Sequence, residues 1–181
     1  PFQRPEIQAY DCLFSAHVPA KFKEHPDGVG AIIVDCSGID RTGDLAEQLT
    51  DFPVICIDHH ATNATKSVGS LVYVDAPSTT FIIQSIIEHM RGSVTKEEAE
   101  MLFFGLCTDT GFFRHLDERS GEVFAHTARL VQAGANPKYT FAAMNGGKSF
   151  GSRTLISRVL DRMKPYYDGK LIVSYETYQD R

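Results

Sequence analysis

Cysteine is sparse, basic residues do not outnumber acidic ones, and no long apolar run occurs in the 181 residues. Each absence narrows the function. The four cysteines (Cys12, Cys36, Cys56 and Cys107) contain no C-x-x-C pair. Cys12 and Cys56 fall in strand-like runs and Cys107 at an apolar helix end, so buried free thiols in a reducing cytosol are expected, and with them a cytoplasmic location. With 18 Lys and Arg against 23 Asp and Glu, the net charge is −5. No overall basic field gathers long nucleic acid, whereas a short or mononucleotide substrate is compatible. No apolar run is long enough to span a bilayer, so no membrane partner is expected. Internal repeats and low-complexity segments are absent too. What remains is ordinary for a globular domain: 43% hydrophobic and 23% charged residues, enough chain for one sizeable core or one core plus part of a second.

The chain is organised around Val54-Ile55-Cys56-Ile57-Asp58-His59-His60-Ala61-Thr62-Asn63. Its first four residues are apolar and mostly β-branched, the pattern of a strand buried in a parallel sheet. A buried strand gains nothing by ending in Asp-His-His, since each group must be desolvated or paired. The carboxyl ends of strands are where open α/β sheets bind ligands, so Asp58, His59 and His60 are read as a site.

Upstream, residues 1–28 are punctuated by Pro5, Pro19 and Pro26, with one short strand-like run from Ala9 to Phe14. Ala31–Val34 is the first clear strand, followed by a short helix over Thr42–Leu49 with Thr42 or Ser37 as candidate caps. A third strand is expected over Ser70–Val74. Helices follow: one capped by Ser78 or Thr79, reaching His89 and ended by Gly92, and one opened by a Thr95/Glu98 capping box before the Ala99–Cys107 apolar run. Ser120 caps a third, stopped by Gly134. Pro137 starts a fourth, through about Met144. Ser149 or Ser152 opens a fifth, running to Met163 and stopped by Pro165. Leu171–Tyr175 is a further strand-like run. Strands alternating with helices and then a helical tail indicate an α/β fold, a parallel sheet flanked by helices over residues 1–145. A linker helix over 146–168 and the first strand of a second domain over 169–181 complete the reading.

Three polar clusters share one grammar, an apolar segment delivering acid or imidazole into a Gly/Ser/Thr-rich turn. Asp35 ends the first strand, Asp58, His59 and His60 end the second, and Asp109 ends the helical run within Gly105-Leu106-Cys107-Thr108-Asp109-Thr110-Gly111-Phe112-Phe113-Arg114. Neighbouring parallel strands would set the first two clusters about 5 to 10 Å apart. Carboxylates and an imidazole that close repel or stay unsatisfied without a cation. The donor types suit Mn²⁺, Mg²⁺ or Zn²⁺, and the lack of thiolates argues against a structural zinc. Taken singly, Asp35 and Asp109 could each be an ordinary helix cap. The three together are much harder to explain that way.

Ile57-Asp58-His59-His60-Ala61-Thr62-Asn63 resembles the signature of the DHH phosphoesterase superfamily, with Val34-Asp35 and Thr108-Asp109-Thr110-Gly111 as its neighbouring acidic motifs. The Asp35–Arg41 segment and the run ending in Phe113-Arg114 look like the branch of oligoribonucleases with pAp phosphatase activity (nanoRNases). The resemblance implies that Asp35 bridges two Mn²⁺ ions, with Mg²⁺ or Co²⁺ as possible replacements, and that His59 and Asp109 are further ligands. It implies that Asp58 orients the His59 ring, that His60 touches the substrate phosphate, and that Arg114 or Arg41 does likewise. Asn63 would fix the loop or contact substrate. The implied reaction is in-line attack on phosphorus by a water that two metals activate, on short RNA oligonucleotides or small phosphorylated nucleotides such as pAp. A homodimer is the implied assembly.

Two departures qualify this. The family's first motif, a strand followed by His-x-x-x-Asp-x-Asp, has only a superficial echo in His25-Pro26-Asp27-Gly28. Its second domain, with a Gly-Gly-Gly-His clamp, is represented only by the Leu171–Tyr175 strand. The resemblance therefore implies the middle part of a longer enzyme, nearly inactive in isolation. A non-catalytic nucleotide-binding module is the alternative from another class, and a cyclic-dinucleotide phosphodiesterase or a pyrophosphatase-like hydrolase the alternatives within the class. Asn145-Gly146-Gly147-Lys148-Ser149 is not a P-loop, since Ala142 stands where glycine is needed and a helix precedes it. His89 and His126 read as helix-surface residues, and the Phe103-Phe104 and Phe112-Phe113 pairs as core; a substrate-facing His115, beside Arg114, is the less favoured of its two readings.

Overall fold

The computed structural model describes residues 30–36, 38–50, 52–61, 69–145 and 149–180. They fall into two compact units, one ending at Thr140 and one starting at Phe141. Asn63 and the His25–Gly28 stretch lie outside the described residues.

The first unit is built on three parallel strands, β1 (Ala31–Val34), β2 (Val54–Asp58) and β3 (Gly69–Val72), in the order β1-β2-β3. β1 and β2 pair with Ala31 opposite Val54 and Val34 opposite Ile57, and β2 and β3 with Asp58 opposite Val72. This is the expected α/β architecture, a parallel sheet flanked by helices. Alternation along β2 sends Val54 and Cys56 to one face, where they pack with Ile33 and Leu49. Ile57 goes to the other face, under Phe81, Ile82, Leu106 and Val123. On that second face Ile32, Val34, Ile55 and Leu71 stay between 45% and 68% exposed.

Between β1 and β2 the chain is not the regular helix that the sequence suggests. A 3-10 segment, Ile39–Leu45, is broken at Gly43 (φ 63°) before a short helix α1, Ala46–Leu49. Thr42 does not cap it, because its hydroxyl donates back to the Ile39 carbonyl at 2.6 Å. Ser37 lies outside the described residues.

Helix α2 (Thr79–Arg91) starts at Ser78, whose Oγ accepts from the Phe81 N–H, and stops at Gly92 in the left-handed region. Helix α3 (Lys96–Asp109) has the full Thr95/Glu98 capping box. Helix α4 (Gly121–Ala133) ends at Gly134, but Ser120 gives it no side-chain cap. That hydroxyl instead donates to Asp117 Oδ1 at 3.3 Å and accepts from the Asp117 N–H. His126 is a second correction. It is 7% exposed, stacks on Phe81 and meets Ser85 Oγ at 3.1 Å, joining α4 to α2 where a surface residue was expected.

Beside it Arg129 donates to both carboxylate oxygens of Glu88 at 3.0 Å. Burial pushes the Glu88 carboxyl up, but the Arg129 and Gln84 hydrogen bonds outweigh it, and the net position is below the ordinary 4.5. A lowered acid contributes stability above its unfolded value and loses it as pH falls through the folded one. Glu88→Gln is therefore expected to destabilise at neutral pH, with the gap in urea midpoint narrowing steadily below pH 4.5.

Helix α5 (Pro137–Asn145) spans the division between the units. The second unit holds α6 (Phe150–Asp161), capped by Ser149, and an antiparallel hairpin of β4 (Lys164–Tyr166) and β5 (Leu171–Val173). The sequence suggests Pro165 as a helix stop and Leu171–Tyr175 as a strand without a neighbour. In the structure α6 ends at Asp161 and Pro165 lies inside β4, paired with Ile172. Asp180 ties this unit together, taking Arg162 Nη2 at 3.0 Å and the Thr177 N–H at 2.7 Å. The Arg162 guanidinium holds that carboxyl well below the usual range.

Candidate metal centre

Asp35 is the first residue beyond β1. Its N–H still donates to the Ile57 carbonyl at 3.0 Å, but its φ is 60°, a region that non-glycine residues seldom occupy. The turn thereby aims the carboxylate sideways, where Oδ1 accepts from Thr79 Oγ1 at 2.8 Å. Thr79 opens α2 and is 4% exposed.

Asp58 ends β2 with a fully buried side chain. Its Oδ1 accepts from the His59 N–H at 2.8 Å, the His60 N–H at 3.1 Å and His60 Nδ1 at 2.7 Å. The expected Asp58–His59 ring pair is thus corrected: Asp58 orients the His60 ring. The reason is geometric, because a carboxylate curled over its own turn reaches the ring two residues on. His59 is oriented from elsewhere, its Nδ1 lying 3.2 Å from the Ala76 carbonyl. A carbonyl only accepts, so Nδ1 is the donor of this contact and the ring is turned with Nε2 on its free side.

Nε2 faces two acids. Nε2 lies 3.9 Å from Asp35 Oδ1 and 3.9 Å from Asp109 Oδ2. Asp109 is the last residue of α3, where the helix dipole disfavours an anion. Burial pushes its carboxyl up and the charge of Asp35 adds to this, against the opposing influence of the two histidines. Three ligand atoms of Asp35, His59 and His60 also lie within 4.8 Å of one another. Atoms held about 2.0–2.2 Å from one ion sit roughly 3 to 4 Å from each other. Two carboxylates and a ring nitrogen brought this close form a donor set that fits a hard or borderline divalent ion.

The His60 proton is better held than usual. The Asp58 hydrogen bond raises its pKa most, against burial, with the charges of Asp58, Asp35 and Asp109 adding. Nδ1 is taken by Asp58, so Nε2 remains for another partner.

After Asp109 the chain turns through Gly111, Phe112 and Phe113, with φ of 58°, 56° and 70°. Thr110 pins the turn, donating to the Leu106 carbonyl at 2.7 Å and accepting from the Phe113 N–H. A Cβ at Gly111 would lie 2.7 Å from His115 Nε2 and 2.8 Å from Arg114 Nε, so a larger residue would have to push both side chains aside and adopt a φ of 58°. Phe112 and Phe113 pack with Phe103 as expected. Arg114 is exposed and donates to His115 Nε2 at 3.2 Å, and Arg41 is exposed in the 3-10 segment. Among the described residues no ion pair joins either arginine to Asp35 or Asp109.

Thr79 is the residue that sequence reasoning missed as part of the site. The Ser78-Thr79 pair offers two hydroxyls where one cap is needed, and that surplus is the signal. Thr79→Val keeps the volume and removes the hydrogen bond to Asp35. It should weaken divalent-ion binding roughly 10- to 100-fold, the usual cost of losing a group that orients a ligand. Calorimetry alongside an unchanged urea midpoint would check this.

No family model matches the sequence. Among solved structures, the fold is similar to an exopolyphosphatase-related protein from Bacteroides fragilis, with a TM-score of 0.72 and 20% identity. The similarity covers 88% of this chain and 46% of that one, so the chain spans about half the length of that protein. The likeness establishes the shared α/β fold.

Proposed function

We propose that the chain belongs to a metal-dependent phosphoesterase of the DHH superfamily, a hydrolase of the nanoRNase branch acting on short oligoribonucleotides or pAp-type 3′,5′-bisphosphonucleotides. The observation that carries this reading is the His59 ring, tethered through Nδ1 so that Nε2 faces Asp35 and Asp109 at 3.9 Å each. The fold shared with an exopolyphosphatase-related protein supports phosphate chemistry in general. The Thr108–Arg114 run supports the branch.

In this reading Asp35, His59 and Asp109 would hold Mn²⁺. A divalent ion bound there supplies the Lewis acidity that activates water at neutral pH. Asp58 keeps the His60 imidazole protonated and aimed, so that its Nε2–H meets a phosphate oxygen as a charge-assisted donor. Arg114, released from His115, and Arg41 are the further phosphate contacts, and Asn63 secures the loop. The protein works in the cytoplasm, as a homodimer.

Titrating the full chain with Mn²⁺, then offering pAp, a ribodinucleotide and polyphosphate while following product release, tests the proposal. Mn²⁺ binding with slow cleavage of the first two is expected. Preferential cleavage of polyphosphate would move the substrate to the class that the structural neighbour's name suggests. Absence of Mn²⁺ binding would overturn the metal reading.

A further inference from the structure

The same two loops that position the metal centre also wall a cavity of about 570 Å³. One loop joins β3 to α2. Its Tyr73 N–H donates to the Asp58 carbonyl at 3.0 Å, and its Ala76 carbonyl holds His59. The other follows Thr110, whose carbonyl accepts from the His115 N–H at 3.2 Å. Phe81, Leu116 and Val123 supply the smaller, apolar part of a mostly polar lining, and Tyr73, 48% exposed, adds an aromatic side chain.

The charges around it are one-sided. Arg119 is consumed by Asp117, with Nε and Nη2 both on Oδ2 at 3.0 and 2.6 Å. Asp75 and Glu122 line it too; Asp75 lies close enough to Arg119 to add to its raised pKa, and neither acid makes a direct ion pair among the described residues. Among the described lining residues a phosphate would meet more carboxylates than cations. A flat body with one apolar face and several hydroxyl or amino donors would meet the Tyr73 ring, a small apolar patch and carboxylate acceptors. The volume lies within the roughly 300–1,000 Å³ of small-molecule sites.

We propose that this cavity holds the nucleoside moiety, base and ribose together, of the molecule whose phosphate lies at Asp35, His59 and Asp109. Tyr73 stacks on the base, and Asp75 and Glu122 accept from its hydroxyl or amino groups. The assignment rests on the phosphoesterase reading for the phosphate end. The nucleoside end is tested independently of it, because a nucleoside without phosphate should bind without metal.

Adenosine is titrated into the full chain in the presence of a chelator, with binding followed by saturation-transfer NMR. The wild-type chain and Asp35→Asn should bind it equally. Tyr73→Ala should weaken binding roughly tenfold or more, the size of one base–aromatic stack, and Tyr73→Phe should restore it. Asp75→Asn should weaken it as well, while circular dichroism shows every variant folded. Absence of adenosine binding, or equal binding by Tyr73→Ala, overturns the assignment. So does ribose binding as tightly as adenosine, which would make this a sugar site. Adenosine binding in a chain that takes no Mn²⁺ would leave the cavity assigned and overturn the phosphoesterase reading alone.

Discussion

Replacing Asp58 by alanine is expected to lower stability by about 3 kcal/mol or more, because it strands two backbone N–H groups in a turn whose carboxylate is fully buried. Asp58→Asn keeps an oxygen where Oδ1 accepts, and should cost about 1 kcal/mol. Urea unfolding of the pair measures both, and equal midpoints for wild type and Asp58→Ala would show that Oδ1 anchors nothing. The pH dependence has a definite sign. Burial raises the Asp58 carboxyl, but the His60 ring and the two backbone donors outweigh it and leave it below 3.8. Its contribution is present above that value and is lost as pH falls through the lower, folded one. His60, raised above 6.5 first by the Asp58 bond, contributes fully below 6.5 and loses this as pH rises through its folded value. The advantage of the wild-type chain over Asp58→Asn should therefore be greatest between pH 3.8 and 6.5 and shrink on both sides.

The second large effect concerns the ion. Asp35→Asn and His59→Ala should each reduce Mn²⁺ affinity by at least ~100-fold, above the range seen for groups that merely orient a ligand. Stability without metal should hold or rise in Asp35→Asn, since one of two facing carboxylates is neutralised. The opposite pattern, unchanged Mn²⁺ binding with lower stability, would make Asp35 an ordinary structural residue and move the ion elsewhere. Asp109→Asn should resemble Asp35→Asn. If it alone leaves binding intact, the ion is held by Asp35, His59 and His60, the other grouping that the geometry allows.

The strands and their end-groups could be read from the chain because they depend on short-range rules. Four apolar residues followed by Asp-His-His fix both the strand and its exit, and the Thr95/Glu98 and Gly92 signals act within one helical turn. What was hidden depends on contacts across the sequence. Asp58 turning to His60 is the exception, a curl within one turn, whereas His59 is tethered by Ala76, 17 residues on. The bond from Thr79 to Asp35 spans 44 positions. His126 reads as a surface residue on its own helix and becomes core only when α2 covers it. Pro165 signals a stop locally, yet an edge strand tolerates proline where no ladder N–H is required.

The two ends of the metal centre differ in kind. Asp35 and His59 leave adjacent strands locked in register, with the Asp35 N–H on the Ile57 carbonyl, so they form a fixed jaw. Asp109 sits at a helix end before a left-handed turn, outside the ladder, so strand register does not fix the other jaw. A caliper built this way adapts to ions of different radius at one side only. Going from Mg²⁺ to Ca²⁺, ligand distances grow from about 2.0–2.1 to 2.3–2.6 Å. Hydrogen exchange should register that change at Thr110–Phe113 while β1 and β2 stay as they were, so the span between the strands sets the site and the helix end follows the ion.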